Sequence, residues 1–228
     1  MALKPMCIDM CRCFVRTRHE KGTAMIVNLP DGSQKQLEEG ATVADVAASI
    51  GAGLARAALA GKIDGNFADL TSVVPDGATV EIITAKSPEA LGIMRHSAAH
   101  VMAEAVQELF PGAQIGFGPQ TDDGFFYDFA LPSPISTDNF AAIEEKMAEI
   151  VKRDEPFVRE VVSRDEAKRI FADQRLKLEH IDDIPEGEEI SIYRHGNFVD
   201  LCSGPHVARA GMIGPFKLMK TAGAYWKG

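Results

Sequence analysis

Apolar and polar positions first alternate along Met25-Ile-Val-Asn-Leu29. This predicts a strand that enters the turn Pro30-Asp31-Gly32 and returns over Ser33–Leu37 as a hairpin. Thr42 then caps a helical run, Val43–Ile50, with Asp45 in its first turn, and Gly51 and Gly53 end it. Pro75-Asp76-Gly77 makes a second turn, and Thr79–Thr84 alternates again as a strand. At Ser87-Pro88-Glu89 the pattern changes: a cap, a proline at the first helical position and an acid open a long helix, about Glu89–Phe110, stopped by Pro111-Gly112. Beyond it the spacing predicts an aromatic strand-like stretch over Gly124–Leu131, a helix over Asn139–Arg153 and a strand over Phe157–Val162. A capping box at Ser163–Glu166 starts a short helix, Glu189–Arg194 is a strand, and Cys202–Gly214 is a loop.

The fold class that follows is α+β: a small β-grasp, ubiquitin-like domain over residues 25–86, then a larger α+β domain over 87–228. The length of 228 residues suits two domains at about 150 residues each or fewer. Residues 1–24 fit neither and read as a tail; their Cys7, Cys11 and Cys13 have no nearby partner group. Composition is ordinary, 46% apolar and 25% charged, and no run approaches the roughly 20 apolar residues of a membrane span. Four cysteines are too few for a disulfide framework, which points to a reducing cytoplasm. The net charge of −9 argues against a broad nucleic-acid surface, yet no acid follows Asp200 while Arg209, Lys217, Lys220 and Lys227 do.

Two motifs carry candidate chemistry. His96-Ser-Ala-Ala-His100 sets two imidazoles one turn apart on the long helix. At about 100° per residue, Leu91, Met94, Ala98, Met102, Ala105 and Leu109 form a stripe that the histidines face away from, so they do not read as core. Asp200-Leu-Cys-Ser-Gly-Pro-His206 adds a thiol and a third imidazole on a loop. Four such groups at paired spacings suit either a tetrahedral zinc ion or a metal-free site in which imidazole activates water. Spacing alone leaves both open.

These stretches resemble a known family. Met25–Gly228 is similar to the N-terminal half of bacterial threonyl-tRNA synthetases. Met25-Ile-Val-Asn-Leu-Pro-Asp-Gly32 resembles the start of its TGS domain, the two histidine motifs resemble the signatures of its editing domain, and Phe216–Trp226 resembles the connection to the catalytic core. The resemblance implies a cytoplasmic aminoacyl-tRNA deacylase that hydrolyses serine from tRNA(Thr). A synthetic pocket for threonine rejects serine by one methyl, about 1–3 kcal/mol, so a second sieve is needed. It implies catalytic roles for His96, His100, Lys177, Cys202 and His206, with Tyr127, Asp128 and Asp200 binding substrate and Asp200 also placed to orient His206; Phe125 and Phe126 read as core. Lys177 would hold the water or the oxyanion. That ammonium would repel a metal ion, so no cofactor is expected; zinc at His96, His100, Cys202 and His206 is the alternative, as in alanyl-type editing proteins. Ser203 stands where the family usually has arginine. The expected partner is tRNA(Thr) charged with serine, with no membrane; the full-length enzyme would be a homodimer through a catalytic core that lies outside this chain. A non-catalytic tRNA-binding module is the remaining alternative.

Overall fold

A computed structural model describes residues 23–223 of the chain; the cysteine-bearing start and Tyr225-Trp226 lie outside them. Strand β1 (Ala24–Asn28) pairs antiparallel with β2 (Gln34–Glu38), burying Met25 and Val27 and leaving Ile26 exposed, as period-two alternation requires. Thr42 and Asp45 then close a reciprocal capping box on α1 (Val43–Ile50): Thr42 Oγ1 accepts from the Asp45 N–H at 3.3 Å and Asp45 Oδ2 from the Thr42 N–H at 2.8 Å. After α2 (Ala52–Ala57) come β3 (Ala58–Ile63), β4 (Asn66–Ala68) and β5 (Val80–Thr84), ordered β4-β3-β5. A parallel bridge from Asn28 to Thr79 joins the two sheets. Helix α1 lies across them so closely that a Cβ on Gly61 would sit 2.5 Å from Val43, and the result is a small β-grasp-like unit. Its β3 and β5 also lend Leu59, Ala60 and Ile83 to the larger core beyond.

That larger α+β part is built on α3 (Ala90–Leu109). The expected cap is not used: the helix opens at Ala90, and the Ser87 hydroxyl instead accepts from the Thr84 N–H at 3.0 Å. Nor does α3 have the single apolar face that its periodicity suggested. Every residue from Ser97 to Val106 is buried, while Leu91 is 52% exposed. A helix packed on all sides replaces a stripe with small residues, here Ala98, Ala99, Ala103 and Ala105, which let its neighbours approach. Strands β6 (Gln114–Ile115) and β7 (Phe129–Ala130) form a short ribbon, so only the end of the aromatic stretch is strand. Helix α4 (Phe140–Arg153) lays Ile143, Met147 and Ile150 on α3's side, each worth about 1.5–3 kcal/mol of burial.

The last sheet is antiparallel in the order β10-β9-β8, from β8 (Phe157–Val162), β9 (Ile190–His195) and β10 (Phe198–Leu201). Between β8 and β9 lie α5 (Arg164–Ile170), capped by Ser163, and α6 (Arg175–Asp183), which the sequence pattern did not predict. Among the described residues no helix is long and apolar enough to cross a membrane.

Candidate active site and metal centre

Helix α3, the end of β10 and the loop after it converge. His96, Ser97 and His100 come from the helix; Asp200 is the last residue but one of β10, and Cys202 and His206 follow on the loop. Two backbone features shape that loop. Gly204 has φ +76°, and a Cβ there would sit 1.9 Å from the Tyr193 hydroxyl, so only glycine fits. Cys202 Sγ accepts from the Gly204 N–H at 3.3 Å, which folds the loop back over the thiol.

The four groups anticipated from the motifs do meet. Cys202 Sγ lies 3.2 Å from His96 Nε2 and 3.5 Å from His206 Nε2. The rings of His96 and His206 are 4.4 Å apart and those of His100 and His206 4.2 Å apart. One ligand atom from each of His96, His100, Cys202 and His206 falls within 4.8 Å of the others. Burial holds all three imidazoles below their ordinary value, His100 and His206 well below it, so they present lone pairs, not charges. Burial, then the Asp200 carboxylate, pushes the Cys202 thiol up to about 12.

The expectation that no cofactor is needed does not survive this arrangement. Three imidazole nitrogens and one thiol sulfur are the donor set of a zinc-class ion, and ligands around tetrahedral zinc stand about 3.5 Å apart, close to the separations found here. The objection was the positive charge of Lys177. That side chain lies on α6, is 1% exposed, and pairs with Asp200, itself 1% exposed. The contact is one of opposite charges, not an aligned hydrogen bond to Oδ1. Lys177 Nζ also donates to the Tyr127 hydroxyl at 3.0 Å, and that hydroxyl donates to Asp200 Oδ2 at 2.5 Å. The ammonium is thus compensated before any ion arrives, and the repulsion is largely cancelled.

A cavity of about 400 Å³ opens onto this group. Of the expected residues, His96, His100, Tyr127, Lys177, Asp200 and Cys202 line it, and His206 lies behind them. Asp128 does not: in an extended segment neighbours point to opposite faces, and Tyr127 takes the inward one. Phe125 packs on the core as expected, but Phe126 is 45% exposed. Asp200 does not touch His206; its neighbours are Lys177, Tyr127 and His100 Nε2, the last at 3.5 Å. Ser203 lines the cavity rim.

Two residues had no signal in the sequence. Asp69, just beyond β4 in the small unit, accepts the His206 backbone N–H at 3.0 Å and the Tyr193 hydroxyl at 2.5 Å. Ser97, inside the first motif, meets the His206 ring at 3.1 Å. A further group, Glu104, Glu155 and His195, lies near the far side of Phe157, whose ring stacks on His195 at 4.5 Å and on His206 at 4.9 Å. There His195 Nδ1 and Arg153 already occupy the two oxygens of Glu104, at 2.5 and 3.3 Å.

Comparison with known proteins adds the following. Residues 25–84 match the TGS domain family, and residues 190–224 match the family described as the threonyl and alanyl tRNA synthetase second additional domain. The chain is 55% identical over 206 residues to a threonine–tRNA ligase of Thiobacillus denitrificans, covering 89% of this chain and 32% of that one. It is 52% identical over 204 residues to the threonine–tRNA ligase of Burkholderia multivorans and 50% identical over 204 residues to that of Alkalilimnicola ehrlichii, with the same 89% and 32% shares. The chain therefore spans about a third of the length of the curated relatives it matches.

Proposed function

We propose that this chain, homologous through its TGS and second-additional-domain region to bacterial threonine–tRNA ligases, hydrolyses the aminoacyl ester of mischarged seryl-tRNA(Thr) at a zinc-holding site. The observation that carries the reading is the cluster of three imidazoles and a thiol at the floor of the cavity. His96, His100, Cys202 and His206 would hold the ion, and it would serve as a Lewis acid towards an ester carbonyl or a water by admitting that oxygen beside these ligands or in place of one of them.

The chain's other residues set orientation and charge. Asp200 and the Tyr127 hydroxyl stand on the cavity wall, where the carboxylate meets the α-ammonium of the aminoacyl group. Lys177, its charge balanced by Asp200, has an ammonium N–H beyond the one given to Tyr127 to offer to the oxygen on which negative charge develops. These groups are pre-ordered by burial, so little reorganisation accompanies reaction. In this reading residues 25–86 are the TGS-type domain and 87–228 the hydrolytic one, with Asp69 of the first holding the His206 N–H of the second.

Selectivity in this reading is by size: the part of the cavity that receives the side chain must take serine and refuse the extra methyl of threonine, whereas a synthetic pocket built for threonine admits serine. The test is single-turnover deacylation of seryl- and threonyl-tRNA(Thr) by this chain. Rapid loss of serine with threonine spared supports the reading. Equal rates would remove the selectivity, and tight tRNA binding without hydrolysis would make the chain a binding module.

A further inference from the structure

Ser97 is fully buried in α3, and its hydroxyl has three partners in the structure. It lies 2.9 Å from the Ile93 carbonyl oxygen, 3.1 Å from the Val207 N–H and 3.1 Å from His206 Nδ1. A hydroxyl has one proton to give and two lone pairs to accept with. The Ile93 carbonyl can only accept, and at 2.9 Å it is the nearer of the two contacts open to the proton, so the proton is assigned to it. The Val207 amide can only donate, so it fills one lone pair. Towards His206 the oxygen has only its second lone pair left, which obliges Nδ1 to carry the hydrogen.

We infer that Ser97 is a positioning residue that fixes His206 as the Nδ1–H tautomer and thereby turns the lone pair of Nε2 towards Cys202 Sγ, 3.5 Å away, where an ion would sit. The inference deepens the proposed metal site and rests on that reading for its metal, but the tautomer itself stands on the hydrogen-bond accounting alone. Its backbone is held as well: the His206 N–H goes to Asp69 and the next N–H to Ser97, so the ring can neither slide nor flip without breaking a buried bond. Partners of this kind, behind a ligating imidazole, commonly set ligand affinity by 10–100-fold.

The experiment has two arms. In metal-free wild-type protein labelled with ¹⁵N-histidine, with His206 assigned by the signals lost in His206→Asn, long-range ¹H–¹⁵N spectra should show Nδ1 protonated and Nε2 unprotonated. An Nε2–H tautomer, or two forms in exchange, would overturn the inference without touching the proposed function, since this arm needs neither metal nor activity. In the second arm, Ser97→Ala is compared with wild type by competition for zinc against a chromophoric chelator. A loss of about 10–100-fold in zinc affinity, with the circular dichroism spectrum retained, is expected. Unchanged affinity in folded Ser97→Ala would overturn the positioning role. Should Ser97→Ala not fold, the wild-type tautomer decides the matter alone.

Discussion

Replacing Lys177 by methionine keeps most of the side chain's length and removes its charge. The structure sets the consequence: Asp200 is 1% exposed, its ion-pair partner is gone, and only the Tyr127 hydroxyl and the more distant His100 remain beside it. Breaking a buried pair by deleting one member costs about 3–5 kcal/mol, because the surviving charge is neither solvated nor paired. Against a total stability of about 5–15 kcal/mol, that is a large fraction of what holds the chain folded. The double variant Lys177→Met/Asp200→Asn leaves no buried charge and should recover at least about 1.5 kcal/mol of the loss, a coupling of the size expected for groups in contact. Urea unfolding in the absence of metal, with the slope of free energy against denaturant unchanged among the variants, measures both numbers. A cost below about 1 kcal/mol for Lys177→Met, or no recovery in the double variant, would mean that Lys177 and Asp200 do not compensate each other. The objection to a metal ion beside Lys177 would then return.

Zinc binding should release about one proton per ion at neutral pH, because burial holds the imidazoles unprotonated and holds the Cys202 thiol up to about 12; calorimetry in buffers of different ionisation heat reads this directly. Between pH 7 and 8 the apparent affinity should rise about tenfold, and Cys202→Ser should weaken binding and flatten that slope. Asp69→Ala leaves the buried Tyr193 hydroxyl and the His206 N–H without an acceptor, so unfolding should show a loss of about 2–4 kcal/mol; a loss below about 0.5 kcal/mol would contradict the contact. Gly204→Ala places a methyl against the Tyr193 hydroxyl at positive φ, and deacylation of seryl-tRNA should fall at least about tenfold as the Cys202–His206 loop moves; wild-type rates would contradict that packing.

Strand β8 was legible to the residue because Phe157–Val162 is short, β-branched and bounded by a proline and a capping serine. Helix α1 was legible because its cap is entirely local, Thr42 with Asp45. Helix α6 was not, since Arg175–Asp183 is mostly charged and its buried Leu176, Lys177 and Ile181 make no clear stripe. For that reason Lys177 was reachable only through family resemblance. The two motifs gave His96, His100, Cys202 and His206, but not what holds them: Asp69 meets His206 across 137 positions and Ser97 across 109, and no local pattern encodes a contact at that range. The mistaken expectation about metal had the same root. In the sequence Lys177 reads as a lone charge, whereas the fold sets Asp200 directly against it.

The most direct measurement is metal content and seryl-tRNA deacylation on the same protein, purified without chelator, then stripped, then given zinc back. A zinc-holding hydrolytic site predicts close to one zinc per chain, loss of single-turnover hydrolysis on stripping and its return with one equivalent of zinc. Full hydrolysis in protein with no bound metal would contradict it.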